Sequence, residues 1–130
     1  MKKNIGNYVD GFVFVVPRKN IVAYKKMASM GAKVWMKHGA LAYMECMGED
    51  LTVKGPEGHK PVSFSKLTNA KAGETVWFSY IVFKSRKHRD TVNAKVMKDA
   101  AMNDPKWATM AMPFDPKRMS YGGFKRVVGK

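Results

Sequence analysis

The sequence has little of several features that would mark a particular class of protein. Its 130 residues contain one cysteine, Cys46, so no internal disulfide can form, which fits a reducing compartment. No apolar run approaches the roughly 20 residues of a membrane-spanning helix, and residues 1–11 lack the long apolar core of a secretory signal. We therefore expect a cytoplasmic protein that has no membrane partner.

Motifs that bind metals or cofactors are also missing. His38, His59 and His88 do not have metal-ligand spacing, and the single cysteine has no companion. No glycine-rich phosphate-binding loop is present. Cys46 falls in a predicted strand without neighbouring cations, so nothing there would activate its thiol. We therefore predict no metal, no cofactor and no cysteine nucleophile.

Acidic side chains are few relative to basic ones. There are 10 Asp and Glu against 24 Lys and Arg, which gives a formal net charge of +14. A field of that size attracts polyanions even without a specific site. The basic residues are scattered along the chain, from Lys2 and Lys3 to Lys130, and no nucleic-acid recognition motif accompanies them. A lysine-rich solvated surface is the favoured interpretation, and nonspecific nucleic-acid binding is the alternative.

Two runs of strand length are apolar at nearly every position. They are residues 8–16 (YVDGFVFVV) and 75–83 (TVWFSYIVF). A strand that is apolar on both faces needs cover on both sides. The length suits a single domain with one core, over residues 1–130, so helices of this chain can cover one face only. We expect another copy of the protein to cover the other face.

The remaining pattern alternates strands and helices. The predicted elements are strand one at 8–16, helix one at 21–38, strand two at 41–47, strand three at 75–83, helix two at 86–103 and strand four at 118–127. Asn20 and Ser85 are the predicted helix caps. The polar segment 48–74 is an insertion between strands two and three, in which Val62, Phe64 and Leu67 suggest a short extra strand.

The order β-α-β-β-α-β is typical of α+β domains with a ferredoxin-like fold. Right-handed crossovers place both helices on one face of a four-stranded antiparallel sheet, with strands one and three in the middle. The uncovered face carries either the even-numbered or the odd-numbered residues of 8–15. Either set would be a large apolar patch on a monomer, and an isologous homodimer formed through the sheet face would bury it.

Five blocks of sequence resemble a known bacterial family. They are YVDGF at 8–12, HGAL at 38–41 followed by Glu45 and Cys46, VWFSYIVFKS at 76–85 with Arg89 and Asp90, MPFD at 112–115 and KRMSYGGF at 117–124. Together they make the chain similar to the YbaA-like proteins, a family of unknown function within the dimeric alpha-beta barrel superfamily. The resemblance implies a ferredoxin-like subunit and a homodimer whose two sheets form a barrel. It implies no catalytic residues, and it does not explain the strong positive charge.

The predicted topology gathers polar side chains at one end of the sheet. Asp10 lies near the start of strand one, His38 at the end of helix one, and Ser85, His88 and Arg89 at the start of helix two. A carboxylate in an apolar strand is costly unless it is paired, and an anion would relieve the crowding of positive charge at a helix N-terminus. We therefore predict a site where Arg89, with His88 and Ser85, holds a small anionic or enol-like ligand. His38 or Asp10 would accept a proton there.

A structural interpretation of the same residues stands beside this one. Asp10 and Arg89 would form an ion pair that ties strand one to helix two, and His38 would simply end helix one. Trp35 is expected either in the core or in the wall of a ligand pocket. Two functions follow, which are binding or converting a small ligand in a cleft between sheet and helices, and alternatively holding RNA or DNA without enzymatic activity. The sequence does not decide whether the protein is an enzyme.

Overall fold

Four antiparallel strands form one sheet in the computed structural model, which describes residues 5–130. The strands are β1 (Tyr8–Pro17), β2 (Ala42–Met47), β3 (Glu74–Phe83) and β4 (Ser120–Lys125), in the order β2-β3-β1-β4. The fold class is α+β, and the prediction that strands one and three are central is confirmed. Lys2 and Lys3, counted above among the scattered bases, lie outside the described residues.

The register between β1 and β3 decides which side chains share a face. The two strands pair over ten consecutive residues, from Tyr8 opposite Phe83 to Pro17 opposite Glu74. Because successive side chains of a strand point to opposite faces, the even-numbered residues of β1 lie on the same face as the odd-numbered residues of β3. These two sets contribute the buried side chains that pack against the helices.

Two long helices cover that face of the sheet. They are α1 (Ile21–Lys37), which follows β1, and α3 (Arg86–Met97), which follows β3. Both contribute to one core with β3, formed by Val34, Ile81, Phe83, Val92 and Val96. The helices therefore lie on the same side of the sheet, where their apolar stripes and the uniformly apolar strands bury one another. Within residues 5–130, no helix is both long and apolar enough to cross a bilayer.

The start of α1 differs from the prediction. Residues Arg18–Asn20 form a short 3-10 turn before the helix, and the Asn20 side chain does not cap it. Its amide instead donates a hydrogen bond of 3.0 Å to the carbonyl oxygen of Pro113. Tertiary contact with a distant loop has therefore replaced the local cap.

Two elements in the second half of the chain are shorter than predicted. Helix α3 ends at Met97 rather than near Asn103, because the Asn103 side chain donates to the carbonyl oxygens of Met97 and Asp99 and so satisfies the end of the helix. A separate short helix, α4 (Pro105–Thr109), follows. Strand β4 begins only at Ser120, after a 3-10 turn that contains Arg118.

The prediction of an extra strand in segment 48–74 is wrong. Phe64–Leu67 instead form a short helix, α2, and the Ser63 hydroxyl caps it by accepting a hydrogen bond of 3.1 Å from the Lys66 backbone. Arg118 holds the segment against the sheet, because its guanidinium contacts the Glu74 carboxylate at 2.5 Å and the Asn69 carbonyl at 3.0 Å. The hydrogen bond from Arg118 lowers the pKa of Glu74 to about 2.

The opposite face of the sheet is apolar and partly open. It carries the odd-numbered residues of β1, so the valine set at 9, 13 and 15 is the one that turns away from the helices. On the neighbouring strands, Phe78 and Phe124 belong to this face and are 47% and 63% exposed. A single protomer thus leaves large apolar side chains in contact with water.

Candidate functional site

The Asp10 end of the sheet holds a buried ion pair. Arg89 Nη1 donates to Asp10 Oδ1 at 2.7 Å, and Arg89 Nε donates to Asp90 Oδ1 at the same distance. The guanidinium carbon lies 5.0 Å from the centroid of the Tyr8 ring. Asp10 is only 7% exposed. The pair ties β1 to α3, and the chain itself contacts the guanidinium from three directions.

Asp10 belongs to a wider network of polar side chains. Burial raises the pKa of Asp10, and the charge and hydrogen bond of Arg89, together with a hydrogen bond from Asn93, oppose that rise. Asn93 in turn accepts a hydrogen bond of 3.0 Å from the Trp35 indole nitrogen. The network therefore joins β1, α3 and α1, and it holds the Trp35 ring in a defined orientation.

His38 has a partner other than Asp10. Its Nε2 lies 2.7 Å from Asp99 Oδ2, which Lys37 also contacts at 3.0 Å. The backbone N–H of Ala101, followed by the His38 and Lys37 side chains, lowers the pKa of Asp99. This cluster fastens the end of α1 to the segment after α3, so the structure does not bring His38 to Asp10.

Ser85 and His88 make local contacts at the start of α3. The Ser85 hydroxyl accepts a hydrogen bond of 3.1 Å from the His88 backbone and so caps the helix, while His88 Nδ1 accepts from the Lys84 backbone at 3.0 Å. Burial, followed by the charges of Lys84 and Lys95, lowers the pKa of His88. A lowered pKa favours the neutral form of this imidazole. Binding of an anion by Arg89, His88 and Ser85 stays a prediction.

A second polar cluster lies beneath α1, and our sequence analysis did not single it out. Glu45 of β2 accepts hydrogen bonds from three hydroxyl groups. Tyr24 of α1 contacts both carboxylate oxygens, at 2.8 and 2.9 Å, and Tyr43 contacts Oε2 at 3.0 Å. The third donor is Ser79 of β3. One carboxylate is thus held by side chains from α1, β2 and β3.

The sheet register explains why these four side chains meet. Tyr43 and Glu45 are two residues apart on β2 and share a face, and Glu45 lies directly opposite Ser79. Tyr24 lies on the buried stripe of α1, above them. Burial and then the charge of Glu45 raise the pKa of both tyrosines. The phenols therefore keep their protons at neutral pH and act as donors.

Two cavities meet at Glu45. The larger has a volume of about 460 Å³ and lies between α1 and the edge of the sheet, where its walls include Ile21, Lys25, Ala28, Ser29, Ala32 and Trp77. The smaller, of about 170 Å³, is lined by aromatic side chains that include Phe12, Phe14 and Trp35. Tyr43 and Glu45 line both. The larger cavity is open because the side chains that α1 contributes to it include the small residues Ala28, Ser29 and Ala32.

A signal for Glu45 was present in the sequence. Glu45 interrupts a predicted apolar strand at 41–47, and Ser79 is the polar residue in the middle of the run at 75–83. The reasoning that marked Asp10 applies equally to these two residues, because a polar side chain in an apolar strand needs a partner. Among residues 5–130, no group of three or more His, Cys, Asp or Glu side chains is arranged to hold a metal ion.

Replacement of Arg89 tests the ion pair at Asp10. We expect Arg89→Leu to lower the free energy of unfolding by about 3 kcal/mol at pH 7, because Asp10 then stays buried without its cation. The folded state already raises the pKa of Asp10 above its ordinary value, and loss of Arg89 raises it further. Folding then takes up a proton, so stability falls as pH rises above the ordinary pKa. We therefore expect the difference in free energy of unfolding between the wild type and Arg89→Leu, measured by urea denaturation, to be smaller at pH 5 than at pH 7.

The matched control is Asp90→Asn, which removes the exposed partner of the same guanidinium. We expect a cost below about 1 kcal/mol, since exposed ion pairs contribute little. Equal effects of the two substitutions, or an Arg89→Leu deficit that does not change with pH, would contradict a structural role for the buried pair.

Comparison with known proteins places the chain in a family. The model of a protein family of unknown function, DUF1428, matches residues 7–116 of this chain. The uncharacterized protein YbaA of Escherichia coli K12 is 40% identical over 121 residues, which cover 93% of this chain and 97% of the relative. A protein of the same description from Shigella flexneri has the same identity and coverage. On this basis the chain belongs to the DUF1428 family of proteins of unknown function.

Proposed function

We propose that the protein binds a small organic ligand in the cleft between α1 and the sheet, with Glu45 as the anchoring group. The observation that carries this proposal is a carboxylate held by three hydroxyl donors at the meeting point of two cavities. A volume of about 460 Å³ lies in the range of small-molecule sites, at its lower end. The ligand is therefore small, and an enol-like compound suits the site.

The hydrogen bonding of Glu45 leaves room for a ligand. A carboxylate offers about four acceptor positions. Tyr43 and Ser79 each contact one oxygen of Glu45, whereas the single hydroxyl hydrogen of Tyr24 is shared between both oxygens. Three hydrogens thus serve four positions, so an O–H or N–H group from the cavity can take one of the two positions that Tyr24 shares. Neighbouring hydroxyl groups and aromatic rings fix the carboxylate in place before a ligand arrives, which lowers the ordering cost of binding.

We place the ligand at Glu45 rather than at the predicted Arg89 site. The Arg89 guanidinium already contacts two carboxylates and the Tyr8 ring, so an incoming anion would compete with Asp10 and Asp90. Trp35 connects the two regions, because its nitrogen donates to Asn93 while its ring lines the smaller cavity. The sequence predicted a cleft at the end of the sheet that holds Asp10, His38 and Arg89. The cleft proposed here lies nearer the start of α1, where Ile21 and Lys25 line it.

Filling the cavity tests this proposal. Ala32 lines the cleft, so Ala32→Leu should occupy the space that a ligand needs. Ala23 is exposed on the same helix, and Ala23→Leu is the matched control. We would screen small hydroxylated and acidic compounds by thermal shift and by fluorescence of Trp77, which lines the cavity. Compounds that stabilise the wild type and Ala23→Leu should fail to stabilise Ala32→Leu.

The opposite results are equally clear. Compounds that bind Ala32→Leu as well as the wild type occupy another part of the molecule. A screen at millimolar concentration that yields no binder sensitive to Ala32→Leu would likewise refute ligand binding in the cleft.

We further propose that the protomer has the ferredoxin-like topology and pairs with a second copy as a dimeric α/β barrel. The strand order β2-β3-β1-β4, with α1 and α3 on one face, supports the topology. The open apolar face, with Phe78 and Phe124 exposed, supports the pairing, because a second sheet packed there would remove it from water. The single cysteine supports a cytoplasmic location for this homodimer.

A charge placed on the open face tests the dimer. Phe124→Glu should convert the dimer into a monomer, measured by sedimentation at micromolar concentration, because a buried carboxylate without a partner is costly. Tyr121→Glu is the control, since Tyr121 lies on the same strand but on the helix-side face, opposite Phe12. A wild-type protein that is already monomeric, or a Phe124→Glu variant that stays dimeric, would contradict pairing through this face.

The alternative function is polyanion binding, and the net charge of +14 is the observation in its favour. Because no recognition motif accompanies the charge, we expect binding to RNA, DNA and heparin alike, with affinity that falls by a factor of about 10³ or more between 50 and 200 mM salt. Column retention and fluorescence anisotropy measure this dependence. A preference for one sequence or fold of nucleic acid that survives high salt would make nucleic acid the favoured ligand.

A further inference from the structure

We infer that the ligand of the Glu45 cleft is a small planar acid that carries a hydroxyl group. Its hydroxyl would donate to Glu45 at the inner end of the cleft, and its acid group would pair with Lys25 at the mouth. This inference rests on the proposed function, and it adds the chemical class of the ligand and the orientation in which it binds.

The inner end of the cleft selects for a hydrogen-bond donor. The polar atoms of Glu45 are acceptors, and the three hydroxyl groups around it already donate to them. A carboxylate or phosphate of a ligand placed there would meet a like charge at short range in a half-buried site, which is unfavourable. The group that faces Glu45 is therefore a hydroxyl or an N–H.

The outer end of the cleft offers a cation. Lys25 follows Ile21 by one turn on α1, and both line the cavity with Ala28, Ser29 and Ala32. Across the described part of the chain, the six ion pairs leave the Lys25 ammonium without a carboxylate partner. An exposed ammonium at the mouth of an apolar cleft attracts an anionic group. The net charge of +14 draws such ligands towards the protein from a distance.

The walls between these two ends are apolar, and several are flat. Ile21, Ala28 and Ala32 line the larger cavity together with the Trp77 indole, and the Tyr43 ring borders both cavities. Aromatic side chains favour offset stacking with planar partners. The middle of the ligand is thus a ring or a conjugated segment rather than a sugar or a peptide.

An amine ligand fits less well. An ammonium group would also donate to Glu45, but it would enter past Lys25 and against the positive field of the whole chain. A neutral phenol would satisfy Glu45 and leave Lys25 unused. A hydroxylated acid is the class that engages both ends of the same cavity.

The test compares three probes built on one benzene ring, which are 3-hydroxybenzoate, benzoate and phenol. Titration calorimetry or ligand-observed NMR would measure each against the intact protein, Lys25→Met, Lys26→Met and Glu45→Gln. Lys26 is exposed and does not line the cavity, so it is the control for general charge. We expect 3-hydroxybenzoate to bind the wild type more tightly than benzoate or phenol.

The variants should separate the contribution of the acid group, which pairs with Lys25, from that of the hydroxyl group, which binds Glu45. Lys25→Met should weaken both acids by about fivefold and leave phenol unchanged, because one exposed charge pair is lost. Glu45→Gln should weaken 3-hydroxybenzoate and phenol by about tenfold and leave benzoate unchanged, because the hydrogen bond loses its charged acceptor. Lys26→Met should match the wild type. If Glu45→Gln does not fold, the comparison of Lys25→Met with Lys26→Met tests the inference. Weaker binding of the acids to Lys25→Met alone supports it, and equal binding to both variants contradicts it.

Failure of the inference differs from failure of the proposed function. If phenol binds as tightly as 3-hydroxybenzoate and Lys25→Met has no effect, the ligand class is wrong although the cleft still binds. The class is equally wrong if none of the three probes binds while other compounds bind in a manner that Ala32→Leu abolishes. If no compound binds in a manner that Ala32→Leu abolishes, both the ligand class and the proposed function are refuted.

Discussion

The pairing of β1 with β3 determines which side chains of the sheet pack against the helices. Ten consecutive residue pairs join two strands that are apolar on nearly every position, and both strands lie in the centre of the sheet. A shift of the register by one residue would turn the side chains of one strand, either Phe14 and Val16 of β1 or Trp77 of β3, away from the helices. The register therefore places the core under α1 and α3, and it leaves a second apolar face that one protomer does not cover.

The same pairing also determines where polar side chains can be tolerated. Asp10 and Ser79 lie on the helix-side face of these central strands, and each is buried. Asp10 is compensated by Arg89 from α3, whereas Ser79 donates to Glu45 of the adjacent edge strand. In the first arrangement, Arg89 is already paired with carboxylates of the chain itself. The second borders two cavities, which is why we propose Glu45, and not the buried ion pair, as the ligand site.

Features that depend on composition within one segment were predictable from the sequence. The central position of strands one and three and the unusual position of Asp10 follow from patterns inside single runs. Features that depend on distant partners were not predictable. The Glu45 cluster joins Glu45 to Tyr24 and Ser79, which are 21 and 34 positions away in the sequence. It can be identified only when the register of the strands and the position of α1 on the sheet are known. Similarly, Asn20 loses its capping role to a contact with Pro113.

We propose that the ligand binds in the cleft beneath α1 and on no other surface of the protein. The most direct measurement is a set of intermolecular nuclear Overhauser effects between a bound compound and protein whose alanine and valine methyl groups carry ¹³C. We expect contacts from the ligand ring to the methyl groups of Ala28 and Ala32, which line the cavity. Contacts to Val9 and Val13 on the open face of the sheet instead, with none to these alanines, would contradict it.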